Sequence, residues 1–399
     1  MPRALFAYAL VGAAVGLLAA AITGVLRLLS RLFLGDWLGY FPPGPSGEGG
    51  LSQVFLSPFP WLGLLGFPLI YLLASLIGSN QGLSRLLLEK RGMPLEVVAQ
   101  LRYVAGSLLE LSAGSVLGRE APMAVLGHGL GRGVRTPENR ALAHAGLAAG
   151  LAAAFHAPLA GALFSIELFY RDLGMEARHL TPALIGAFSG FAVYGAFFGY
   201  DPLLALHPGR IEGRELIAAL LLGALVGGIV NLWIGFFAWL RKEARALPFW
   251  GRHAFLGLVL GALALVLPEA LGDGLGWLEV FAGPLVPAGA VAMVFLARFF
   301  LAALFLALGG YGGPFTPSLV LGGLLGIALA RGLPTPLDPG VMALAGGAAW
   351  IAGAVRTPLG AVALAGELAG YRVLPAVLLS AALGFYLSRA TLLPEAESG

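Results

Sequence analysis

The chain has no cysteine, which excludes disulfides, thiolate chemistry and zinc held by sulfur. Charge is scarce: 11% of the 399 residues are Asp, Glu, Lys or Arg, against about 25% in a soluble domain. Lysine occurs only as Lys90 and Lys242, and asparagine only as Asn80, Asn139 and Asn231. With 58% hydrophobic residues and a mean hydropathy of +0.87, little of the chain is left for a water-soluble domain. The net charge of +3 carries no dense basic run of the kind that binds nucleic acid. These absences describe a polytopic membrane protein. Basic clusters at Arg85/Lys90/Arg91, Arg132/Arg135/Arg140, Arg171/Arg178 and Arg241/Lys242/Arg245 do not sort to one side of the bilayer.

Apolar runs are plentiful but uneven. Those over 4–35 and 180–200 reach the roughly 20 residues that span a bilayer, whereas 122–131 does not. Mixed lengths predict tilted, broken and re-entrant helices, because non-helical backbone at membrane depth survives only where protein or a water-filled cavity surrounds it. The apolar run after Arg3 continues past Thr23 with no polar cleavage region, so it reads as a first membrane helix and not as a signal peptide.

Within these runs one acid stands out. Glu120 lies in Gly118-Arg119-Glu120-Ala121-Pro122, flanked by Tyr103–Leu117 and Met123–Leu130, which carry only Glu110 and His128 as titratable groups of ordinary range. An ionisable side chain at bilayer depth costs about 2.5–3.5 kcal/mol on insertion scales and is usually kept for function. At a glycine- and proline-flanked break it reads as an ion or proton site.

The chain also repeats itself. Ala143-His-Ala145-Gly146 has its counterpart in Ala343-Leu-Ala345-Gly346, and His156-Ala157-Pro158-Leu159 in Arg356-Thr357-Pro358-Leu359. Nine residues after each of these prolines come Glu167-Leu168 and Glu367-Leu368. Upstream, the G-x-x-x-P opening Gly118–Pro122 is matched by Gly313–Pro317. The reading is one domain over 1–394, with repeat halves at about 15–240 and 253–390 joined near the basic loop 241–252, and a short tail at 395–399. Paired repeats place a transport site at their interface near the membrane midplane.

Three glycine-containing breaks precede helix-compatible runs: Gly78-Ser79-Asn80-Gln81-Gly82, Gly118–Pro122 and Gly312–Pro317. Helix starts present free N–H groups and partial positive charge. Converging, they would build an anion site from backbone dipoles and the Ser79 hydroxyl. Dipoles hold an anion loosely enough for it to leave. Taken alone, Ser79 reads equally as a helix N-cap and Gly312–Pro317 as a turn. Arg119 beside Glu120 reads as snorkelling or bonding backbone carbonyls elsewhere, since adjacent helical residues do not face each other. No H-E-x-x-H spacing joins His128, His144 and His156, so no metal and no cofactor is expected.

These segments resemble the CLC family of chloride channels and chloride/proton antiporters. The family's G-S-G-I-P appears as GSNQG at 78–82, G-R-E-G-P as GREAP at 118–122, and G-x-F-x-P as GPFTP at 313–317; Ala157–Gly161 also matches. The resemblance implies an all-α inverted repeat, a homodimer with one pore per subunit, and chloride and protons as transported ions in a cell membrane. It implies Glu120 as gate and proton carrier. Anion contacts would come from Ser79, Gly118, Arg119, Ala121, Gly313, Phe315 and Thr316.

Departures from the pattern carry their own expectations. Gln81-Gly82 replaces Ile-Pro, and Pro314 has no N–H to offer. No tyrosine follows Tyr386, so the inner side should be open and central chloride occupancy weak. Neither the family's last helix nor a regulatory nucleotide-binding pair of domains is expected after it. The usual internal glutamate position is Leu168, with Glu167 one residue earlier, about 100° away around a helix. Glu167 is therefore a candidate for an internal proton path or a structural acid. The alternatives left open are a passive chloride channel, a fluoride/proton antiporter and, from another class, an intramembrane enzyme, for which no nucleophile–base pair or metal set is found.

Overall fold

The computed structural model describes residues 2–48, 61–80, 82–88, 96–134, 136, 138–170, 177–209, 211–334 and 337–393. Gln81, Lys90, Arg91, Arg135, Arg171 and the tail 395–399 lie outside them. The described chain is built of helices: α1 Pro2–Ser30, α2 Leu62–Ile77, α3 Leu83–Leu88, α4 Val97–Ser112, α5 Glu120–Gly133, α6 Asn139–Phe155, α7 Pro158–Glu167 and α8 Ala177–Phe198. There follow α9 Gly213–Glu243, α10 Phe249–Val266, α11 Leu275–Ala282, α12 Ala288–Leu308, α13 Phe315–Gly332, α14 Pro339–Ala354, α15 Pro358–Ala369 and α16 Leu374–Leu387.

Six stretches are long and apolar enough to cross a membrane, among them Arg3–Trp37, Gly213–Ala246 and Ala288–Leu308. Others are not. At 1.5 Å per residue, α7 is about 15 Å long and α5 about 21 Å, against a hydrocarbon core of about 30 Å. Such helices must begin or end inside the bilayer, as the uneven apolar runs predict.

The packing repeats itself between halves. α5 lies on α6 as α13 lies on α14; α1 packs on α8 as α9 packs on α16; α2 meets α4 as α10 meets α12, though that last pair touches less. The first eight helices thus correspond to the last eight. This differs from the expected halves at about 15–240 and 253–390. Helix α9 plays the part of α1 and opens the second half, so the junction moves from 241–252 to 199–212. The long helix hid the junction because a 31-residue helix with an apolar middle reads the same at the end of one half as at the start of the next.

Small residues make this packing close. A Cβ on Gly127 would strike the Gly146 carbonyl and one on Gly146 the Gly127 carbonyl; Gly322 and Gly346 stand in the same relation in the second half. Without water to expel between helices, such close backbone approach is a main source of membrane helix association. The turns after α6 and α14 also match. His156 (φ 53°) and Arg356 (φ 65°) are the described non-glycine residues with positive φ.

Candidate ion-transport site

Glu120 is fully buried in the first turn of α5. Its carboxylate is aimed at the start of the equivalent helix, α13. Oε1 accepts from Phe315 N–H at 2.9 Å and Thr316 N–H at 3.2 Å, and Oε2 from the Thr316 hydroxyl at 2.8 Å. The two openings are held together by backbone. Gly118 N–H donates to Gly313 O at 3.1 Å and Gly313 N–H to Gly118 O at 2.8 Å, an isolated antiparallel bridge. Two equivalent segments paired antiparallel are what a local two-fold axis generates. Glycine is required at both positions, since a Cβ on either would run into the Glu120 carboxylate.

The chemistry follows. The free N–H groups at a helix start, with a hydroxyl beside them, form an anion-binding cradle. The carboxylate stands in it as the anion. Three hydrogen bonds to a charged acceptor, each worth about 1.5–3 kcal/mol net, offset part of the cost of burying that charge. A mobile anion competing for the cradle must displace the carboxylate, and protonation of Glu120 would weaken its hold on the donors. Pro314, the residue before Phe315, contributes no N–H.

Two cavities approach this point. One, of about 650 Å³, reaches Leu117 and Arg119 and is lined by Arg27, Arg31, Glu48 and Asp273 among others. The second, of about 450 Å³, reaches Gly312 and Pro314 and has Arg85, Arg241, Arg245 and Arg252 in its lining. Leu117 and Arg119 flank the Gly118 side of the bridge, and Gly312 and Pro314 the Gly313 side. Glu120, which lines neither cavity, lies between them.

The other anticipated residues are placed as follows. Gly118, Glu120, Gly313, Phe315 and Thr316 come together, and Ala121 is buried in the same first turn of α5. The Ser79 hydroxyl donates to the Ala99 carbonyl, no hydrogen bond links it to Glu120, Phe315 or Thr316 among the described residues, and its neighbour Asn80 lines the same cavity as Gly312 and Pro314. The Arg119 guanidinium points elsewhere, to Glu48 and to the Ala154 carbonyl at 3.2 Å. Its charge is answered by Glu48 and not by a passing anion. Glu167 accepts from Leu359 and Gly360 N–H, both at 2.8 Å, capping α15. Glu367 accepts from Leu159 and Ala160 N–H at 2.9 and 2.7 Å, capping α7. The repeated acids are reciprocal staples between halves. Leu168 is buried in the core.

Sequence reasoning missed Glu48. It lies in the loop after α1, outside the spanning helices, yet only 5% of its side chain is exposed. It gathers Arg27 at 3.0 Å, Tyr194 OH at 3.1 Å, His156 Nε2 at 3.3 Å and Arg119. Burial pushes its carboxyl up, but Arg119 and then His156 outweigh burial and hold it well below the usual carboxylate range. Nothing local marked it; its partners come from four distant parts of the chain.

A membrane-embedded bundle of interlocked half-length helices, with a carboxylate in a helix-start cradle between two cavities, defines an ion-translocating membrane protein. The chain belongs to the voltage gated chloride channel family, whose model matches residues 68–389. It is 30% identical over 311 residues to a putative ClcB-like chloride channel protein of Ralstonia nicotianae, covering 72% of this chain and 71% of that one. It is 32% identical over 294 residues to H(+)/Cl(−) exchange transporters ClcA of Yersinia pestis and Klebsiella pneumoniae, covering 68% of this chain and 60–61% of theirs. The fold matches a slow cyanobacterial Cl−/H+ antiporter (TM-score 0.85, 24% identity, 97% of this chain and 94% of that one). It also matches a CLC-type fluoride/proton antiporter (TM-score 0.80, 21% identity, 98% and 97%).

Proposed function

We propose that the protein exchanges chloride for protons across a cell membrane, with Glu120 as gate and proton carrier. The observation that carries this is the Glu120 carboxylate in the Phe315–Thr316 cradle. A carboxylate so placed excludes chloride when ionised and yields the cradle when protonated, so proton binding and anion entry are linked at one point. The arginine-mouthed cavity that reaches Gly312 and Pro314 is taken as one mouth of the path. Chloride entering it meets the α13 start beside Pro314, where one N–H is lacking, so occupancy there is weak. The ClcA relatives are named as H(+)/Cl(−) exchange transporters, which supports the reading. A homodimer in the plasma membrane is part of the proposal, as is one transport path per subunit.

One observation favours a second reading. Glu167 is tied to two backbone N–H groups and Leu168 is apolar, so among the described residues the segment after Ala157–Gly161 offers no free internal acid. The alternative is a passive chloride path. The test is the purified protein in sealed liposomes: an imposed chloride gradient should drive a pH change in the lumen. Chloride flux with no proton movement would leave the passive reading.

A further inference from the structure

Glu110 and His253 are both fully buried, 143 positions apart in sequence, and bonded to each other through Glu110 Oε1 and His253 Nδ1. Neither has a part in the gate. The remaining Glu110 oxygen accepts from Tyr311 N–H at 2.8 Å. The surroundings are aromatic. Tyr71 of α2 donates its hydroxyl to the Glu110 carbonyl at 3.3 Å, Phe249 of α10 lies 4.5 Å from the imidazole between ring centres, and Tyr311 stacks on it at 4.8 Å. No Asp, Lys or Arg side chain hydrogen-bonds to either member among the described residues.

The pairing sets the tautomer. With Nδ1 turned to the carboxylate, the neutral ring's proton sits on Nδ1 and its lone pair on Nε2. Nε2 is buried and has no hydrogen-bond partner among the described residues; neither does the Tyr311 hydroxyl. A buried polar atom left bare costs about 1–3 kcal/mol, so it calls for an explanation. A base oriented by an acid, with its free lone pair deep in a membrane bundle, is a proton acceptor.

Its position fits a route. Tyr311 and Phe249, which cover the imidazole, also line the arginine-mouthed cavity, together with Tyr103. Tyr103 stands edge-on to Tyr311 at 5.7 Å and donates to Gly312 O at 3.3 Å, one residue from the Gly118–Gly313 bridge. It lies within electrostatic reach of Glu120 and, less strongly, of Glu110. We propose that Glu110 and His253 form an internal proton station, loaded at His253 Nε2 from water of the arginine-mouthed cavity past the Tyr311 hydroxyl, and unloaded toward Glu120 along the wall carrying Tyr103. Loading turns the neutral imidazole into an imidazolium paired with the Glu110 carboxylate; unloading returns the same proton, so the pair is left as it began. The proposal rests on the antiport reading. It supplies the internal acid–base group that neither Leu168 nor the tied Glu167 supplies.

The test is paired chloride and proton flux from liposomes holding the purified full chain as wild type, His253→Gln, Glu110→Gln and Tyr311→Phe. Glutamine at 253 keeps a donor for Glu110 and removes the base. In His253→Gln and Glu110→Gln, proton flux should fall about tenfold or more while chloride flux stays within about twofold. Tyr311→Phe removes only an unpartnered hydroxyl and keeps the ring stack, so it remains informative if the other two fail to fold; its proton-to-chloride ratio should fall about threefold. An unchanged ratio in the folded variants, or proton and chloride fluxes falling by one common factor, overturns the station while leaving the antiport reading intact. Wild type without proton flux overturns the antiport reading, and the station with it.

Discussion

The two halves of the molecule use one scaffold in two ways. At the α7–α15 contact they behave alike: Glu167 caps α15 and Glu367 caps α7, acid for acid and donor for donor. At the α5–α13 contact they behave differently: the first half supplies the carboxylate and the second half the N–H groups and hydroxyl that receive it. Where duplication is kept symmetric, each side satisfies the other and the contact is closed. Where the residues diverge, Glu120 opposite Phe315 and Thr316, a single acceptor faces a cradle that an ion could also fill. In this chain symmetry marks structure and broken symmetry marks the candidate site.

The largest break in that contrast comes from Glu120. Replacing it with Gln or Ala should abolish proton movement in liposomes while some chloride flux persists, because the cradle stays and the titratable group goes. Retained proton flux would remove Glu120 from the proton path altogether.

The Glu48 cluster comes next. Glu48→Leu leaves the Arg119 guanidinium buried against apolar surface, and breaking one side of a buried pair costs about 3–5 kcal/mol. The thermal unfolding midpoint should fall accordingly. The sign of its pH dependence follows from the lowered carboxyl. The stabilisation is fully present above the unfolded value near 4.5 and is lost as pH falls below it toward the depressed folded value. Wild type should therefore lose more stability than Glu48→Leu on acidification below pH 4.5, and parallel curves would exclude the cluster as the cause.

Glu48 also shows what sequence could not disclose. The helix breaks and the repeat were readable, because each rests on local residues: glycine and proline that interrupt helices, and a charge in an apolar run; the grouping of Gly118, Glu120, Gly313, Phe315 and Thr316 was implied by the resemblance to the CLC motifs. The contact of the Ser79 hydroxyl with the Ala99 carbonyl is made by tertiary packing and has no mark in the local sequence. Glu48, His253 and the role of Glu110 depend chiefly on partners more than 70 residues away, such as Arg119 for Glu48, with no spacing to betray them. The junction between halves differs from the expected one because α9 is apolar through its long middle, and composition cannot say which half such a helix serves.

A smaller effect separates stapling from transport. Glu167→Gln and Glu367→Gln each exchange a charged cap for a neutral one that still reaches part of the cradle, a loss of about 1 kcal/mol. The two losses should match, as the symmetry requires, and neither variant should change the proton-to-chloride ratio. Unequal losses, or a ratio that moves only in Glu167→Gln, would draw Glu167 back into the proton path.

The smallest expected effect probes the asymmetric contact itself. Thr316→Val keeps the shape of the side chain and removes one of the three donors that hold the ionised Glu120. Losing one such bond loosens the carboxylate by about 1.5–3 kcal/mol, and the part of this that chloride does not also lose shifts the equilibrium between gate and chloride. The same hydroxyl is no longer there for chloride, but an ion coordinated by two N–H groups loses less from it than a carboxylate oxygen bound to it directly. The balance favours chloride, so half-maximal chloride flux should move to lower chloride concentration at neutral pH. At low pH, where Glu120 is protonated and no longer competes, only the lost chloride donor counts and the shift should reverse. A shift of one sign at every pH would mean that the hydroxyl serves the ion alone, and that the carboxylate is held by the α13 backbone.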